Sequence, residues 1–254
     1  MTIHINYRGD MFIKDGGGFE SRHESTIDMF KHLYTYYNAP RNVTYNIHTG
    51  DFPTSNDILC YCNHPDYPHA RAIPDFSFDK WEESKLPKFF EFHEKMKQIQ
   101  PFHDKVDKLF WIGALFDYRK SIIDKYKDYK DFEFYSRQSK FVSLYDHVNY
   151  KYLLDMRGVG WSARLKFLLC MNSVVFVVDR KERDYWWDNF EPWVDYVPIK
   201  EDGSDLIEIF EKVKNNQDQC KSIAQSAYKK SRVIFDKHRV YSDFAKILSQ
   251  KSGL

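Results

Sequence analysis

Apolar residues change their spacing along this chain, and the changes mark out strands and helices. The run Val174–Val178 is apolar without interruption, the pattern of a strand buried on both faces in a parallel sheet. Ahead of it, residues 150–156 read as another strand, Arg157-Gly158-Val159-Gly160-Trp161 as a tight glycine turn, and an apolar-periodic helix begins at Ser162. Further strands are predicted at 3–7, 43–48, 57–62 and 109–113, and helices at 24–37 and 89–98. Residues 10–21 read as a loop broken by Gly16-Gly17-Gly18, and three amphipathic helical stretches follow at 205–215, 217–235 and 241–249. Strands alternating with helices in both halves predict an α/β fold with mainly parallel sheets.

Composition narrows the partners. The 254 residues can bury a full core, and 38 basic residues against 37 acidic ones leave no global field to draw the chain onto nucleic acid or an anionic membrane. Any polyanion site must therefore be local. The aromatic content of 18% suits a cleft that stacks rings or sugars as well as it suits a core. The opening residues Met1-Thr2-Ile3-His4-Ile5-Asn6 lack a signal-peptide pattern, and no apolar run approaches membrane-spanning length, so a cytoplasmic protein without a membrane span is expected. Cys60-Tyr61-Cys62-Asn63-His64, with His69 nearby, invites a zinc reading, but no second knuckle exists and no metal is expected.

Candidate chemistry gathers at two places. A helix start after a glycine turn offers unpaired N–H groups, and Arg164 and Lys166 follow it, so 157–166 is either an anion site or an ordinary βαβ unit with solvated basic residues. Asp51 stands just past an apolar strand, where α/β folds place ligand-facing groups; it either does chemistry or caps the turn before Pro53. His48 either tunes Asp51 or fills the core. Arg8-Gly9-Asp10 is read as chance.

Longer blocks carry a resemblance. Gly50-Asp51-Phe52-Pro53, Ala72-Ile73-Pro74-Asp75-Phe76-Ser77-Phe78, Phe110-Trp111-Ile112-Gly113 with Arg119, Tyr150-Lys151-Tyr152-Leu153, Arg157-Gly158, Ser162-Ala163-Arg164-Leu165-Lys166 and Pro192-Trp193-Val194-Asp195-Tyr196-Val197-Pro198-Ile199-Lys200 occur in the order found in glycosyltransferase family 90. Over roughly residues 10 to 235 the chain resembles that capsule-associated-protein-like family.

The resemblance implies a GT-B fold, two Rossmann-like domains facing across a cleft. Residues 1–105 would form the acceptor side with the base, 106–235 the UDP-sugar side, and 236–254 a helix returning to the N-terminal domain. It implies Arg164 on the donor pyrophosphate, with Ser162, Gly158, Val159 and Gly160 around it and Arg119 at a second donor position. Arg157 either faces the diphosphate or pairs with Asp155 or Asp184; Asp184 either touches the ribose or caps a helix; Phe76 and Ser77 either border the cleft, as His48 would, or simply pack. Asp51 matches the proposed catalytic base of an inverting transfer of glucose or xylose from a UDP-sugar to a glycan or glycoprotein acceptor. Arginines would replace the metal, since the chain has no Asp-x-Asp tripeptide, and no cofactor is implied. Short length favours a glycan acceptor and a bacterial or viral source. The other class left open is a sugar-nucleotide or glycan-binding module without turnover.

Overall fold

A computed structural model describes residues 2–6, 19–41, 43–82 and 85–251. The glycine run 16–18 and Arg8-Gly9-Asp10 lie outside the described residues. The described residues build two sheets. The first has the order β1 (Thr2–Asn6), β2 (Thr44–His48), β3 (Leu59–Cys60) and β4 (Arg71–Ala72), with α1 (Glu20–Tyr36) between its first two strands. β1 runs antiparallel to β2, and the rest are parallel. The strand expected over 57–62 contracts to β3, because only Leu59 and Cys60 find ladder partners.

The second sheet is wholly parallel. After α2 (Phe89–Lys95) come β5 (Val106–Gly113), α3 (Asp117–Tyr126), β6 (Phe132–Ser136), β7 (Tyr150–Asp155), α4 (Leu165–Leu169), β8 (Val174–Val178) and β9 (Val197–Ile199). Their order is β6-β5-β7-β8-β9, so the winding reverses between β5 and β7. Three helices close the chain: α5 (Leu206–Lys214), α6 (Gln217–Ile234) and α7 (Lys237–Lys251).

Strand alternation explains both cores. Leu109, Trp111, Tyr152, Leu154, Val174 and Phe176 face one way and pack with α3, α5 and the start of α6. Phe110, Ile112, Leu153, Val175 and Val177 face the other way, into a cluster that also holds Phe30, Ile47, Phe76 and Phe89 of the first half. One apolar cluster thus runs from the inner face of the second sheet into the first half. Each such side chain contributes about 1.5–3 kcal/mol on burial. α7 comes back to α1, with the Phe244 ring edge-on to Phe30 at 4.9 Å and Tyr241 stacked on Tyr37 at 5.4 Å.

The helix expected from Ser162 shortens to the five residues of α4, with Arg164 as its N-cap. Its side chains are all buried, Lys166 included, so it has no solvent face from which to extend. So short a helix has little macrodipole, and side-chain guanidinium groups must supply most of the positive charge there.

Candidate active site

A cleft of about 370 Å³ opens where the strand order of the second sheet reverses, the place where doubly wound sheets bind ligands. Ile112, Gly113 and Ala114 line it from the end of β5, Gly158 and Val159 from beyond β7, and Asp51 from beyond β2. Among the described residues six cations border it, Arg22, Lys85, Arg119, Arg137, Lys140 and Arg164, and Asp51 is the single carboxylate of the lining. The near-neutral chain therefore concentrates positive charge in one cavity.

Arg164 and Arg119 are set by main-chain oxygens. Arg164 donates to Ile112 O. Arg119 Nε donates to Arg157 O at 2.7 Å and its Nη2 to Met156 O at 3.0 Å. Neither forms an ion pair within the described residues. Burial, reinforced by Arg119 and Arg137, pushes the Arg164 guanidinium down to about 10, against the pull of Asp155. It remains charged at neutral pH, and an anion between these groups would relieve their repulsion.

Asp51 is held from three directions. Its side chain is 30% exposed, and Arg22 Nη1 donates to Oδ1 at 3.2 Å and to Thr49 O at 3.2 Å. His23 Nε2 bonds Thr49 Oγ1 at 2.9 Å. A Cβ on Gly160 would overlap the Asp51 carbonyl oxygen, so this glycine exists for the close approach of two backbones. Arg22 is itself enclosed by the rings of Phe19, Phe76, Trp81 and Trp161, 4.7 to 5.9 Å from its guanidinium carbon.

Several residues anticipated at the cleft lie elsewhere. Ser162 does line it, but donates to Asp155 Oδ1 at 2.6 Å; Asp155 Oδ2 in turn accepts from Arg180 at 2.6 Å. Arg157 is outside the lining and pairs with neither Asp155 nor Asp184: its Nη1 donates to Val159 O at 2.7 Å and the group lies over Tyr118. Gly160 is buried behind the wall against Asp51. Asp184 is buried away from the lining, with Oδ2 unpartnered, and burial together with Asp75 pushes its carboxyl up to about 7. Phe76 and Ser77 are also buried behind the wall, where Ser77 and Asp75 receive Lys166. His48 folds its ring over Gly50, and burial lowers its pKa, with Asp51 opposing. Gly160, Asp184, Phe76, Ser77 and His48 are thus outside the lining. The buried Lys166, expected near an anion, serves Asp75 Oδ2 at 2.8 Å.

Sequence reasoning missed Arg22, Arg137, Lys140, Lys85 and His147. For Arg22 a signal existed: a cation in the first turn of a helix opposes the dipole and calls for another reason. His147 accepts no such reading. Burial, with Arg164 adding, drives its ring down to about 3, and it stays neutral with Nδ1 against Ser143 O at 2.9 Å. Among the described residues no three His, Cys, Asp or Glu side chains converge as a metal site, and no helix is long and apolar enough to cross a membrane.

Comparison with known proteins agrees with the motifs. The chain is 41% identical over 87 residues to protein O-glucosyltransferase 1 of Rattus norvegicus, covering 34% of this chain and 22% of that protein. It is 36% identical over 118 residues to the Homo sapiens protein of that name, covering 44% and 30%. It is 40% identical over 89 residues to O-glucosyltransferase rumi of Drosophila melanogaster, covering 34% and 22%. The matches thus span between 22% and 30% of these relatives' length. A solved glycosyltransferase from Rickettsia africae ESF-5 overlays 96% of this chain and 84% of its own at a TM-score of 0.45 and 6% identity. The family model for glycosyl transferase family 90 matches residues 42–254, most of the chain, and the protein belongs to that family.

Proposed function

We propose that the protein is an inverting, metal-independent glycosyltransferase of GT-B arrangement that moves glucose or xylose from a UDP-sugar to a glycan hydroxyl, giving a β-linkage. The observation that carries this reading is the charge layout of the cleft: among the described residues one carboxylate, Asp51, shares the lining with a set of cations. Loss of a nucleoside diphosphate builds negative charge on the leaving phosphates, and preorganised guanidinium groups stabilise that charge. Arg164 and Arg119 take this part, so no divalent ion is needed. Asp51 removes the acceptor proton as the hydroxyl attacks the anomeric carbon from the face opposite the nucleotide, and single-step displacement inverts that carbon. Arg22 orients the carboxylate through Oδ1.

The half built on β1–β4 then forms the acceptor side and the half on β5–β9 the donor side, with the cleft between them lined from both. The relatives are named O-glucosyltransferases, which favours glucose. The test is incubation with UDP-glucose or UDP-xylose and a glycan panel in EDTA, with NMR of the product. A β-linked product is expected. Transfer that requires a divalent ion, an α-linked product, or binding of UDP-sugar without turnover on any acceptor overturns the reading.

A further inference from the structure

Among the described residues the cleft has more positive charge than a sugar nucleotide can use. Arg22 is committed to Asp51, and Arg119 and Arg164, fixed on the strand ends, match a donor with one negative charge on each phosphate of its diester. Lys85 and Lys140 remain, both exposed and both in the lining. The ring of Phe141, a residue 66% exposed, lies in the same lining. Lys85 Nζ lies 5.4 Å from that ring, and Lys140, its chain neighbour, sits over Tyr135 at 4.1 Å. Neither lysine forms an ion pair among the described residues, and Glu82, three positions before Lys85, engages Lys80 at 3.7 Å.

Lys85 has an uncommon backbone conformation. Its φ is +53°, in the left-handed region that a side chain-bearing residue enters at a cost, and its N–H closes a turn on Glu82 O at 3.0 Å. A flat exposed ring with the Lys85 ammonium beside it and the Lys140 ammonium over Tyr135 fits a pyranose face carrying acid groups: the ring covers the C–H face and the lysines meet the anions.

We propose that the acceptor is an anionic saccharide, seated on Phe141 with its acid groups between Lys85 and Lys140. This rests on reading the cleft as a site of transfer from a UDP-sugar. Steering follows from the same charges, because a basic rim draws in an acidic glycan faster at low salt.

The test is calorimetry on protein saturated with UDP, using a hexuronate tetrasaccharide, its carboxyl-reduced counterpart and a phosphate-bearing oligosaccharide of equal length. UDP binding itself checks the donor reading; if UDP does not bind, that reading fails first. With UDP bound, at least one acidic probe is expected to bind about tenfold more tightly than the neutral one, and which acid wins distinguishes carboxylate from phosphate. Lys85→Gln with Lys140→Gln should erase the preference while leaving UDP affinity within about twofold, and Phe141→Ala should weaken acidic and neutral probes alike. Equal binding of acidic and reduced probes overturns the proposal. So does a loss of UDP affinity in the lysine variant, which would move those residues to the donor side.

Discussion

The two halves hold their site residues by different means. In the second, β5 and β7 contribute eight and six residues of parallel ladder, and the cations at their ends are pinned to main-chain oxygens. In the first, β3 and β4 have two residues each, and Asp51 is held by side chains of α1 and by the approach of Gly160. The cations are thus positioned by backbone oxygens, whereas the Asp51 carboxylate is positioned by the Arg22 side chain and its main chain by the Gly160 approach. The buried pair Lys166–Asp75, both side chains 1% exposed, ties the two halves together beneath the cleft.

That tie gives the largest expected effect. Lys166→Met leaves Asp75 buried and without its cation, and unfolding by urea should show a loss of about 3–5 kcal/mol. A loss under about 1 kcal/mol would mean that the halves are joined by the apolar cluster alone. Asp184 gives a related effect through pH. Its folded pKa, raised to about 7, lies above its unfolded value, so the folded state binds the extra proton and stability falls as pH rises from the ordinary carboxylate range through about 7. The slope should reach up to about 1.4 kcal/mol per pH unit between about pH 5 and 7, and Asp184→Asn should flatten it. An unchanged slope in the variant would assign it to other groups.

The ladder-rich half was the more legible in sequence. Val174–Val178 reads as a strand because both faces are buried, and three C-terminal helices keep their period. β3 and β4 are too short for alternation to register, and α4 was overextended because a buried apolar stretch with a lysine mimics one face of a longer helix. Asp51 and Arg164 stand out by their places after a strand and after a glycine turn, the motif resemblance singles them out further, and both line the cleft. The partnership of Arg22 with Asp51, and of Lys166 with Asp75, spans 29 and 91 residues and depends on tertiary approach that no local pattern encodes.

The site itself supplies the next tests. Asp51→Asn should lower kcat at least about 10²-fold, near 2.7 kcal/mol of barrier, with UDP-sugar affinity nearly unchanged, because the lost interaction belongs to the transition state. Near-normal turnover would remove Asp51 from the role of base. Arg164→Ala should cost about 1.5–3 kcal/mol of UDP affinity by calorimetry and leave folding intact; an unchanged affinity would shift the anion site to Arg119 and Arg137.

The last and smallest effect concerns where the two halves touch. Alanine at Gly160 would place a methyl group on the Asp51 carbonyl oxygen, which is backbone and cannot swing aside, whereas at Gly158 the nearest atom is Trp161 O at 3.1 Å, which needs to yield only slightly. Gly160→Ala should therefore lose about 1–3 kcal/mol of stability and, by pushing the Asp51 loop from the donor side, reduce turnover more than UDP affinity. Gly158→Ala should stay within about 0.5 kcal/mol. Thermal melts and kcat for the pair separate a wall that merely needs glycine from one that sets the base. If both variants behave alike, the Gly160 approach has no special hold on Asp51, and its position rests on Arg22 and His23 alone.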